Sequence, residues 1–129
     1  MDYGIAVRLQ APMDETVERV RAALAEQGFG VLTEIDVQAT LKSKLGEEIE
    51  PYLILGACNP QLAHRALGVD RRIGMLLPCN VVVRADGDST VVEALDPQVM
   101  VTVPEEPGLQ PIADEALRRL RSALETIER

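Results

Sequence analysis

Residues 79 to 95 constrain the fold more than any other stretch. Cys79 to Ala85 and Thr90 to Leu95 read as two strands, and Asp86-Gly87-Asp88-Ser89 joins them. An Asp-Gly pair suits the positive φ of a tight hairpin turn, so the two segments are expected to lie antiparallel. Such a hairpin argues against a fully parallel wound sheet. It directs the chain towards an α+β arrangement with mostly antiparallel pairing and helices gathered on one face.

A second anchor is Tyr52-Leu53-Ile54-Leu55-Gly56-Ala57-Cys58-Asn59-Pro60. Leu53 to Ala57 has no polar break, and its short length between Pro51 and Asn59-Pro60 marks a strand covered on both faces. Asn59 is a good N-cap and Pro60 a good first helical residue, after which Leu62, Ala63, Ala66 and Leu67 share one face as far as Gly68. Cys58 therefore falls at a strand end just before a helix. Leu76-Leu77-Pro78-Cys79-Asn80-Val81-Val82-Val83 echoes this pattern and carries the second of the two cysteines.

The remaining segments follow by periodicity. Ile5, Val7 and Leu9 alternate as a half-buried strand. Asp14 is the expected N-cap of a helix over residues 15 to 27, with Gly28 as its left-handed terminator. Phe29 to Asp36 is a strand with Val31, Thr33 and Ile35 on one side and Leu32, Glu34 and Asp36 on the other. Asp36 then caps a short helix with Val37, Leu41 and Leu45 spaced four apart and Gly46 at its end. Glu47-Glu48-Ile49-Glu50 is an acidic surface connector, and Asp70 to Met75 an irregular return segment. Val99 to Val103 reads as a short strand or a turn, and Pro104 to Gly108 as a surface loop. From Pro111 a long helix carries Ile112, Ala113, Ala116, Leu117, Leu120, Leu124 and Ile127 on one stripe.

With 129 residues and 47% hydrophobic content, the chain suits a single domain over residues 1–129 with one aliphatic core. Its net charge of -8 argues against nucleic acid or an anionic membrane as the main partner. No apolar run reaches the ~20 residues of a membrane span and the start lacks a signal-peptide pattern, so a cytoplasmic location with reduced thiols is expected. Tyr3, Phe29 and Tyr52 are the only aromatic residues, which leaves little from which to build an aromatic cage.

Two constellations are candidates for chemistry. In the first, Cys58 and Cys79 converge at one end of the sheet as a reactive or metal-binding pair, with the helix after Asn59 favouring a Cys58 thiolate. Against this, buried cysteine commonly acts as a small hydrophobe, His64 is expected to point outward, and zinc normally takes four ligands. In the second, Glu34, Asp36, Lys42, Asn59 and Asn80 surround the central strand as a ligand site. Capping by Asp36 and a surface Glu34–Lys42 pair would explain the same residues without a ligand. Arg71 and Arg72 could receive an anion, although Asp70 beside them suggests local ion pairs. Asp86 to Ser89 lacks the remaining ligands of a calcium loop, and no phosphate-binding loop, dinucleotide fingerprint or nucleophile elbow is present.

Taken in order, Gly28-Phe29-Gly30-Val31-Leu32-Thr33-Glu34-Ile35-Asp36, Leu41-Lys42-Ser43-Lys44-Leu45-Gly46, the Tyr52 to Pro60 stretch, Leu77-Pro78-Cys79-Asn80 and Asp96-Pro97 resemble the small bacterial domain-of-unknown-function family 302. The resemblance implies an α+β domain similar to one repeat of the TATA-binding-protein fold with added helices, and a homodimer. It implies no catalytic residue, substrate or cofactor, and fold alone does not carry DNA binding. The expected role is thus a dimeric binding or accessory module for a small molecule or metal. The alternatives are a thiol-dependent enzyme or redox sensor using Cys58 with Cys79, and a purely structural protein–protein interaction module.

Overall fold

The computed structural model describes residues 2–128. In chain order the elements are β1 (Gly4–Leu9), α1 (Met13–Glu26), β2 (Gly30–Asp36), α2 (Val37–Leu45), β3 (Tyr52–Cys58), α3 (Pro60–Val69), a 3₁₀ segment (Arg71–Leu76), β4 (Cys79–Asp86), β5 (Ser89–Leu95), α4 (Val99–Thr102), a 3₁₀ turn (Pro107–Leu109) and α5 (Gln110–Glu128). The strands form one antiparallel sheet in the order β1-β5-β4-β3-β2, so the first two strands occupy opposite edges. The long helix α1 makes that crossing.

The hairpin closes through a short connection. Asp86 pairs with Ser89, leaving Gly87 and Asp88 as a two-residue turn in which Gly87 has a φ of 60°. Its strands supply Val81, Val83, Val92 and Ala94 to one face of the sheet, where Leu55 and Ala57 of β3 join them. Val20, Ala23 and Leu24 of α1 and Leu120, Ala123, Leu124 and Ile127 of α5 close the core over this face. Each fully buried Val, Leu or Ile side chain contributes about 1.5–3 kcal/mol of transfer free energy, so this layer dominates stability. The C-terminal stripe runs much as its spacing predicts.

A second cluster extends the core beyond the ends of the strands. Leu62 and Ala66 of α3 meet Ile73, Met100, Leu109, Ile112, Ala113 and Ala116 there. The opposite face of the sheet carries Tyr52, Ile54, Asn80, Val82, Arg84, Glu93 and Leu95, and belongs to neither cluster.

Local structure departs from the sequence expectation at several places, among them the 3₁₀ turns at Arg71–Leu76 and Pro107–Leu109 where an irregular segment and a loop are expected. A bulge between Val31 and Thr33 interrupts the alternation of β2, so Val31 and Glu34 stand opposite Ala57 and Leu55 on the helix-covered side while Thr33 and Ile35 pair with Gly56 and Ile54 on the open one. Helix α1 begins at Met13 behind Pro12, not behind Asp14, whose carboxylate accepts the neighbouring Glu15 N–H instead. Helix α3 runs through Gly68 to Val69 and stops at Asp70. Val99 to Thr102 is helical, turned in by Asp96, whose carboxylate accepts the Gln98 N–H at 2.9 Å. Among the described residues, no helix is long and apolar enough to cross a membrane.

Candidate functional site

The two thiols come together, but around very little space. Both line a cavity of about 30 Å³, with Phe29, Leu62, Met100 and Ile112 among its walls. That is room for about one water molecule. Both cysteines are free, Cys58 half-buried and Cys79 buried. Burial pushes the Cys79 thiol up to about 11, and the neighbouring Cys58 adds to the rise. A thiol held protonated is a poor nucleophile at neutral pH.

The polar candidates are dispersed by the same fold. Asn59 accepts the Leu62 N–H at 3.2 Å as the cap of α3, and Asp36 accepts the Ala39 N–H at 2.9 Å as the cap of α2. Glu34 does not meet Lys42: it pairs with Arg21 of α1 at 3.3 Å, while Lys42 reaches Glu48 at 3.4 Å. The bulge accounts for this, since it places Glu34 on the side of the sheet that α1 covers. Asn80 stands on the open face, in a shallow cleft of about 270 Å³ bordered by Tyr3, Tyr52, Arg84 and Glu93. His64 is exposed. Among the described residues, no three His, Cys, Asp or Glu side chains gather to hold a metal ion.

A much larger cavity lies elsewhere, between the 3₁₀ segment after α3 and the loop after α4. It is a cleft of about 620 Å³ whose walls include Val69, Asp70, Arg72, Met75, Val103 and Glu106. Its floor is Ile73, which is fully buried. Val69, Met75 and Val103 are 43%, 72% and 62% exposed, three of the few large apolar side chains that face solvent. Glu105, with a φ of 54°, turns the chain along the far wall. Asp70 accepts the Arg72 N–H at 2.9 Å and Glu106 accepts the Gly108 N–H at 3.0 Å, while the Arg72 guanidinium makes no ion pair among the described residues.

Sequence reasoning picked out Arg71 and Arg72 as a basic patch but missed the cleft. Its two walls are separated by roughly thirty residues, and no periodicity marks Met75 and Val103 as exposed.

Comparison with known proteins agrees with the fold and adds no activity. The family described as "Domain of unknown function DUF302" matches residues 5–127. A crystal structure of an uncharacterized conserved protein DUF302 from Bacillus stearothermophilus is 33% identical to this chain, covers 98% of each chain and superposes with a TM-score of 0.91. No curated protein matches the chain.

Proposed function

Because the chain belongs to this family of unknown function, we propose a role from its own geometry: it is a module that binds a small organic molecule in the cleft between the 3₁₀ segment and the α4 loop. One observation carries this reading. The cleft falls within the ~300–1,000 Å³ typical of ligand sites and leaves large apolar side chains facing solvent in a concave wall. Covalent chemistry at Cys58 and Cys79 has no comparable room, which weighs against a thiol enzyme.

The test is native mass spectrometry of gently purified protein. A bound small molecule is expected, lost on denaturation and lost in Met75→Glu, which places a charge in the exposed apolar wall. A ligand retained unchanged by that variant, or protein with no bound mass from any preparation, would overturn the proposal.

A second reading concerns assembly, and a separate observation favours it. Helix α2 contributes no buried residue, and the open sheet face carries Tyr52, Ile54 and Val82 outside both cores. An isolated helix of nine residues is marginal in water, so a covering surface would stabilise it. Arg84 and Glu93 border the same cleft on this face without ion-pair partners among the described residues, an arrangement that suits self-pairing across a two-fold axis. Light scattering is expected to give a homodimer that Arg84→Glu weakens and that the exchange Arg84→Glu with Glu93→Arg restores. A monomer at micromolar concentration would remove this reading.

A further inference from the structure

We propose that the ligand of the 620 Å³ cleft is an aliphatic zwitterion, an apolar amino acid or short apolar peptide, with its carboxylate at Arg72 and its ammonium at Asp70 and Glu106. The inference rests on the small-molecule reading above and names the class of molecule. It follows from the charges on the walls. Arg72 is the one cation among the lining residues, which also include two carboxylates, Asp70 and Glu106, each of which spends one oxygen on a backbone N–H.

A ligand that is simply an anion meets more negative than positive charge on these walls, in a protein whose net charge is already -8. A ligand that is simply a cation sets like charge beside the solvent-exposed guanidinium and gives it no counter-charge. Only a molecule bearing both signs answers both sets of groups. Val69, Met75 and Val103 then cover its hydrocarbon, which removes their exposed surface from water. Arg72 presents a planar fork suited to a carboxylate, and the free oxygens of Asp70 and Glu106 are acceptors for an ammonium group.

The experiment is an NMR titration of the full chain with leucyl-leucine, N-acetyl-leucyl-leucine and leucyl-leucinamide, which differ only in which charge is blocked. Leucyl-leucine is expected to shift the amides of Val69, Arg72, Met75 and Val103 saturably, and to bind about threefold or more tighter than either blocked form, the worth of a half-exposed ion pair. Arg72→Gln should abolish the advantage over the amide. Glu106→Gln, which keeps an acceptor for the Gly108 N–H, should reduce the advantage over the acetylated form without unfolding the loop. Equal binding of all three probes would overturn the zwitterion while leaving the cleft a small-molecule site. If no probe shifts these amides at millimolar concentration, the zwitterion is again overturned, and the broader reading is decided by its own co-purification test.

Discussion

Cys79 lies directly across the β3–β4 ladder from Ala57, the residue before Cys58, so the two thiols border one cavity from neighbouring strands. Their accessibility differs, and so should their chemistry. Half-buried Cys58 is expected to react with a thiol reagent in the native protein, and buried Cys79 only on unfolding. Mass mapping of the labelled cysteines under native and denaturing conditions checks this, and native labelling of Cys79 would contradict it.

The raised Cys79 value also makes stability depend on alkaline pH. The folded state holds the proton more tightly than the unfolded state, so this contribution is complete below the ordinary value of 9.0 and is lost as pH rises through about 11. Its limit is about 2–3 kcal/mol, at 1.36 kcal/mol for each pH unit of difference. Denaturant midpoints measured from pH 8 to 11 should fall in the natural chain and fall less steeply in Cys79→Ala.

Gly56 occupies a position in β3 that no larger residue fits. A Cβ there would collide with Thr33 Oγ1 on β2 and lie 2.9 Å from Cγ of Pro78. Gly56→Ala should therefore destabilise the protein by about 1–3 kcal/mol, the usual cost of overpacking. Thr33→Ala in the same molecule should recover part of that loss and no more, because the Pro78 ring remains. A double-mutant cycle by urea denaturation measures the coupling.

The two carboxamide and carboxylate caps should behave differently when removed. Asn59→Ala costs about 1 kcal/mol of global stability, since α3 is tied into the second core through Leu62 and Ala66. Asp36→Ala should instead fray α2 locally, because that helix buries nothing. Amide exchange separates the outcomes: faster exchange confined to residues 39–45 for Asp36→Ala, and a change in the slowest core amides for Asn59→Ala.

Arg8 and Asp86 form an exposed pair at 2.6 Å between β1 and the hairpin end. The hydrogen bond from Arg8, with its charge, holds the Asp86 carboxyl below the ordinary carboxylate value. Arg8→Gln should raise it towards 3.8, read by NMR titration. Because the folded value is depressed, the pair's contribution is present above 3.8 and lost as pH falls through the folded value.

Local chemistry was legible where a short segment determines its own backbone. Gly28, Gly46 and Gly87 all take positive φ, and Asn59 and Asp36 both cap helices, as their neighbours in sequence imply. The bulge in β2 was not legible, because a strand's alternation is reset by its partner and not by its own residues. Nor was helix α4, whose Val99 to Thr102 run has the β-branched composition of a strand but is turned by Asp96 and packed through Met100.

By itself the sequence determined the five strands and the longer helices, the antiparallel hairpin, the aliphatic core and the family, because hydrophobic period, turn residues and caps act over a few positions. Tertiary structure alone decided which side chains meet. It sent Glu34 to Arg21 and Lys42 to Glu48, enclosed the thiols around about 30 Å³, and set Met75 opposite Val103 across the open cleft. Those contacts depend on strand order and on where loops return, which is settled by the free energy of the whole packed layer and is written in no single stretch of chain.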